Sequence, residues 1–146
     1  MPTVTLPITL VTAGAAAIIN FWLALRVGRA RHSASVSIGD GGNLKLIARM
    51  RAHANFAEYT PFVLILIGLI ELTAGTSIWL WAVAAIFLLA RVAHPLGMDG
   101  LRYARAIGIV LTLLIMLGLA IYAVILPFEA SRTTTPISVE AVPPRG

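Results

Sequence analysis

The 146-residue chain contains no cysteine. That excludes a disulfide framework, a thiolate metal site and a protein thiol nucleophile, so any thiol chemistry has to come from a bound co-substrate. Charge is scarce as well. Only 12% of residues are charged, against about 25% in an average soluble domain. Hydrophobic residues make up 59% and the mean hydropathy is +0.92. A chain this apolar reads as an all-α membrane protein, and it is too short for more than one domain. No Lys or Arg precedes the first apolar stretch, so that stretch lacks the basic start of a signal peptide and is expected to remain in the mature protein. No His, Asp and Glu stand together at metal-ligand spacing: His53 and Glu58 are too far apart and His94 precedes a proline, so no metal is expected. The net charge of +5 could suggest a nucleic-acid partner. The basic residues cluster between apolar stretches instead, as membrane topology arranges them, and none is expected.

What the chain does have is four apolar stretches, each near the roughly 20 residues that cross a bilayer. They cover residues 6–25, 52–74, 78–93 and 106–128, which predicts a four-helix bundle running up-down-up-down. Residues 26–49 form a long basic connection with the turn-rich run Gly39-Asp40-Gly41-Gly42, residues 74–77 a tight uncharged turn, and residues 95–103 a glycine-containing loop. The proline-containing tail, residues 129–146, is expected to be disordered. Trp79 and Trp81 read as interfacial anchors at the start of the third stretch. Nine of the eleven basic residues fall around the first and third connections. The positive-inside rule then places those connections in the cytoplasm and both termini outside, in the periplasm of a cell inner membrane.

The second stretch opens with polar residues. Arg51, Asn55 and Glu58 stand at i, i+4 and i+7, on one face of a helix. A charge at membrane depth costs about 2.5–3.5 kcal/mol on insertion scales, so such residues generally face a bundle interior and mark a site. Arg26, His53, Arg91, His94, Arg102 and Arg105 lie at the same end of the bundle, with Glu58 the one acidic residue inside a span there and Asp99 in the nearby loop. The surplus guanidinium groups call for an external anion. Arginine suits carboxylates, and Glu58 could take an amine, so a ligand with several carboxylates and one amine fits the balance.

The run Arg51-Ala52-His53-Ala54-Asn55-Phe56-Ala57-Glu58-Tyr59-Thr60-Pro61-Phe62 resembles the signature of the MAPEG family, the membrane-associated proteins of eicosanoid and glutathione metabolism. Arg91-Val92-Ala93-His94 and Arg105 match the family's further basic positions, and the resemblance spans residues 6–128. The short loop with Leu96-Gly97-Met98 is most similar to the small bacterial branch. The resemblance implies a left-handed four-helix bundle assembled as a homotrimer, with glutathione as co-substrate held between neighbouring subunits. Carried over, Arg51, Asn55, Glu58, His53 and Arg91 would bind glutathione, with Arg26 a weaker match. Arg105 would be catalytic, stabilising the glutathione thiolate for transfer to a lipophilic small-molecule electrophile or for peroxide reduction. Two features depart from the family. The tyrosines of the eicosanoid enzymes are missing, Met98 standing in that region and Tyr103 being the nearest phenol, and Ala106 rather than a serine follows Arg105.

A plainer reading stands beside this one. Arg51, Asn55 and Glu58 could form an interhelical network that only sets packing, in a non-catalytic member with a structural or ligand-binding role. His53 and His94 could be ordinary interfacial histidines, Arg26, Arg29 and Arg31 topology determinants that touch lipid headgroups, and Arg102 a solvated partner of Asp99. Glu71, at the opposite end of the second stretch, is left out of the site. A proton-coupled exporter of similar size would carry a carboxylate in the middle of its first span, and residues 6–25 have none.

Overall fold

The computed structural model describes residues 5–133, with side chains as far as Glu129. Four helices account for almost all of it: α1 (Pro7–Ala34), α2 (Leu44–Ala74), α3 (Ile78–Met98) and α4 (Ala104–Thr133). All four are long and apolar enough to cross a membrane. Each is longer than its apolar stretch. The first runs on past residue 25 to Ala34, and the second begins at Leu44, so the basic connection shrinks to residues 35–43. Part of the expected tail is helical, because α4 passes Pro127 and continues to Thr133; residues 134–146 lie outside the described residues.

The third helix corrects an expectation. His94-Pro95 suggests a stop, yet α3 continues to Met98. A proline removes one N–H and its bond to the carbonyl four residues back, and membrane helices tolerate this where neighbouring groups compensate. The close partner here is α4. A Cβ on Gly97 would overlap the backbone of Arg105, and one on Gly108 would come within 2.7 Å of the Ala90 carbonyl and the His94 nitrogen. These two glycines let α3 and α4 meet backbone to backbone, the way small residues pack membrane helices.

The ends are capped by identifiable groups. Asn43 accepts from the Leu46 N–H at 3.0 Å and starts α2. Ser35, in the left-handed region at φ 54°, ends α1 by donating its N–H to the Arg31 and His32 carbonyls. The α1 N-terminus has no cap of its own from Leu6. Its cap comes from α2: Glu71 accepts the Ile8 N–H at 3.0 Å and the Thr9 N–H at 2.8 Å, and also the Thr9 and Thr76 hydroxyls. A carboxylate there both satisfies orphan donors and opposes the helix dipole.

These contacts fix the topology. Glu71 near the end of α2 meets the start of α1, and Arg91 near the end of α3 meets Asn55 and Thr112 near the starts of α2 and α4. Successive helices are therefore antiparallel. Helices α2 and α3 pack on each other and on both remaining helices, while among the described residues α1 and α4 do not pack together. The main core gathers Ile8, Val63, Ile67, Leu80, Phe87 and Leu119, and a smaller one joins Ala16, Leu23 and Phe56. Trp79 sits edge-on to Tyr122 with ring centroids 5.3 Å apart. The outer faces carry exposed Leu, Ile, Val and Phe, which suits a lipid surround.

Candidate functional site

The site is built around Arg91, which is fully buried on α3. Its guanidinium donates to Asn55 Oδ1 at 2.8 Å and to Thr112 Oγ1 at 3.1 Å. Thr112 passes its own hydroxyl hydrogen to the Gly108 carbonyl at 2.8 Å. The Phe56 ring lies under the guanidinium carbon, 5.5 Å from its centroid. Every one of these partners is neutral. Among the described residues no carboxylate reaches Arg91, and its Nε is buried with no hydrogen-bond partner. A buried cation held only by dipoles is costly, so the arrangement favours an anion nearby.

Asn55 joins Arg91 to the polar face of α2. Arg51 and Glu58 share that face one turn to either side, both exposed, and neither has a hydrogen bond or ion pair among the described residues. Arg105 projects from the first turn of α4, exposed and likewise without such a partner. It borders an open hollow of about 510 Å³ together with Tyr103 and Ile109. His94, one turn after Arg91 on α3, is only 4% exposed. Its Nδ1 is buried and unpartnered. The structure thus links buried Arg91 and Thr112 to half-buried Asn55, with His94 buried one turn along α3 and Arg51, Glu58 and Arg105 exposed and unpaired among the described residues.

Arg105 lies on the same tight α3–α4 connection that Gly97 permits. The family model decides what this arrangement belongs to: the MAPEG family matches residues 9–125, most of the chain and all four helices. The chain belongs to the MAPEG family. A comparison with curated proteins returns no match. MAPEG membership covers glutathione transferases and peroxidases as well as non-catalytic members. It also accords with the four membrane-spanning helices, which make this a multi-pass membrane protein.

Two further residues of the expected set, His53 and Arg26, are engaged by side chains of other elements. His53 pairs through Nε2 with Asn20 Oδ1 of α1 at 2.9 Å. Two positions along a helix is a turn of about 200°, so His53 lies on the far side of α2 from Arg51. Arg26 is bound to Asp99 and stacked on Trp22, 4.8 Å from the ring centroid. Arg49 reaches the same carboxylate at 3.8 Å and donates to the Arg26 carbonyl at 3.2 Å. Arg26, Arg49 and Asp99 form a clasp between α1, α2 and the end of α3. Asp99 is thereby taken, and Arg102 does not pair with it but lies over the Tyr103 ring at 5.0 Å.

Sequence reading missed Thr112 and undervalued His94. Nothing in an apolar span marks one threonine as a guanidinium partner. His94 carried a signal, its place one turn after Arg91 on the same face. Among the described residues there is no group of three or more His, Cys, Asp and Glu that could hold a metal.

Proposed function

We propose that the protein is a membrane glutathione-binding enzyme, a transferase or peroxidase acting on lipophilic electrophiles. One observation carries this reading: Arg91 is buried among neutral partners, beside an α2 face whose Arg51 and Glu58 are unpaired. Glutathione offers a carboxylate for the exposed Arg51 and an ammonium for Glu58, with Asn55 holding the peptide by hydrogen bonds and the buried Arg91 behind it adding positive potential. His94 lines the inner side of this group. His53 and Arg26, engaged by Asn20 and Asp99, have no direct part in it.

Arg105 is the catalytic residue in this reading. A guanidinium beside the thiol favours the thiolate and lowers the thiol pKa from about 8.5, which raises the nucleophilic fraction at neutral pH. In transfer, the thiolate sulfur forms a bond to the electrophilic carbon, and the leaving group departs with the electron pair or a proton adds to the acceptor. In peroxide reduction, two glutathione molecules become the disulfide while the peroxide becomes an alcohol and water. The lipophilic acceptor arrives through the lipid.

Because Arg51 and Glu58 are exposed on a single copy, a neighbouring subunit in a homotrimer would complete the site. By the positive-inside rule the site faces the cytoplasm of an inner membrane, where reduced glutathione is available, and both termini are periplasmic. A second reading has a specific observation behind it. Ala106 follows Arg105 and leaves no adjacent hydroxyl to hold the thiol, which suits a non-catalytic glutathione-binding member. Ultraviolet difference spectra separate the two. Purified protein given glutathione is expected to show thiolate absorbance at neutral pH. Saturable binding with no thiolate up to about pH 8 would establish the second reading.

A further inference from the structure

A separate cationic group stands at the start of α2. Lys45 and Arg49 are four positions apart on one face of that helix. Together with Leu44, Ala48, Met98 and Asp99 they border an open hollow of about 500 Å³. Arg49 comes two positions before Arg51, about 200° around the helix. The hollow therefore lies on the other side of α2 from the face that carries Arg51.

Charge around this hollow is not balanced. Asp99 is the one carboxylate that borders it, and it is shared between Arg26, which is bound to it, and Arg49 at 3.8 Å. Each of these guanidinium groups keeps a buried nitrogen with no hydrogen-bond partner, Nη1 of Arg26 and Nε of Arg49. The Arg26 side chain is only 9% exposed. Lys45 is exposed and has no hydrogen bond or ion pair among the described residues. Asp40, in the preceding loop, accepts the Gly42 N–H at 2.9 Å and does not border the hollow. The first turn of α2 holds no acidic residue to oppose its dipole, and a helix start in that condition favours an anion.

Three cations against one carboxylate leave two positive charges. A phosphate monoester carries about −1.5 to −2 at neutral pH, which matches that surplus, whereas a phosphodiester or a carboxylate carries one charge. The volume is within the roughly 300–1,000 Å³ of small-molecule sites. It leaves room beside a phosphate for an organic group against Leu44, Ala48 and Met98.

We propose that this hollow binds an organic phosphate monoester. The phosphate meets Lys45 and Arg49, the organic part lies on Leu44 and Met98, and Asp99 stays with Arg26. The same chemistry reaches the hollow from two sources, a soluble monoester or a lipid headgroup in the leaflet on the basic side. The site does not depend on the glutathione reading, because it uses another face of α2.

The test uses the full chain. In an uncharged detergent, radiolabelled glycerol 3-phosphate is titrated by equilibrium dialysis. In phosphatidylcholine nanodiscs, retention of phosphatidate is compared with that of phosphatidylglycerol, whose phosphate is a diester. Saturable binding of glycerol 3-phosphate assigns the soluble source. Without it, selective retention of phosphatidate assigns the headgroup. In either case Lys45→Gln should weaken the monoester about tenfold, the scale of one lost charge-assisted contact, and Arg49→Gln at least as much. Glutathione binding by both variants should match the parent. Lys45 is exposed and outside the Arg26–Asp99 pair, so Lys45→Gln should keep the parent melting temperature and decides the matter even where Arg49→Gln unfolds. Monoester binding by Lys45→Gln as tight as the parent's would overturn the proposal. So would a failure of glycerol 3-phosphate to bind together with equal retention, or no retention, of phosphatidate and phosphatidylglycerol.

Discussion

Arg91 is held in place by hydrogen bonds and left without a counter-charge, whereas Arg26 is buried and neutralised by Asp99. That difference separates a guanidinium whose charge is left uncompensated from one neutralised within the fold. It also divides the expected roles. Arg105→Ala should abolish the thiolate absorbance with only a modest fall in glutathione affinity, because the proposed function sets Arg105 at the sulfur. Arg51→Ala and Glu58→Ala should instead cost about 1.5–3 kcal/mol of binding, the worth of a hydrogen bond to a charged group, with the thiolate still formed at saturating glutathione. Titration calorimetry and difference spectra on the same preparations check both, and equal loss of both signals in all three variants would refute the division. At this scale the sequence was only partly legible. Helical spacing put Arg51, Asn55 and Glu58 on one face, because that periodicity is local. It could not place His53, whose partner Asn20 is on another helix, nor show that Asp99 prefers Arg26 and Arg49 to Arg102, because those choices depend on where three separate helices end.

Among the elements, the α3–α4 pair carries Arg91, His94 and Arg105, and its closeness depends on Gly97 and Gly108. A Cβ at Gly108 would press on the Ala90 carbonyl and the His94 backbone, moving the turn that carries Arg91 and His94. Gly108→Ala is therefore expected to destabilise the protein by about 1–3 kcal/mol, the usual range for overpacking, and to lower glutathione affinity with it. Gly118→Ala, on the same helix, meets nothing within 4 Å and should leave both unchanged. Thermal unfolding in detergent and calorimetry read the two effects. The start of α1 offers a separate test. Glu71→Ala removes the acceptor for the Ile8 and Thr9 N–H groups, and a lost cap costs about 0.5–2 kcal/mol. The melting temperature should fall while glutathione binding stays intact, since Glu71 is at the opposite end from Arg91; a parallel loss of binding would mean the two ends are coupled. Apolar runs revealed the number and order of the helices. They underestimated helix length, because the capping groups and the tolerance of Pro95 depend on neighbours outside each run.

On the scale of the whole molecule, α1 and α4 do not pack together among the described residues, and the α2 face with Arg51 and Glu58 is open. One copy thus presents a site with unpaired charges along its edge, and the proposed homotrimer gives a reason for that. Hydropathy and charge bias could indicate four spans, because each is a property of the chain alone. Assembly depends on surfaces meeting, and for this chain it rests on the family resemblance. Complementation can test it directly. If glutathione lies between copies, Arg51 of one subunit and Arg105 of the next act on the same molecule. Chains carrying Arg51→Ala and chains carrying Arg105→Ala, co-expressed and purified together, should then assemble some interfaces with both arginines intact. Those mixed assemblies are expected to regain tight glutathione binding and thiolate absorbance in part of the population. An assembly made only of the Arg51→Ala, Arg105→Ala double variant should show neither. If the site instead lies within one chain, Arg51→Ala subunits form thiolate only at high glutathione and Arg105→Ala subunits form none. Mixing would then produce no thiolate at the low glutathione concentration that saturates the parent, and the sharing of Arg51 and Arg105 between copies would have to be abandoned.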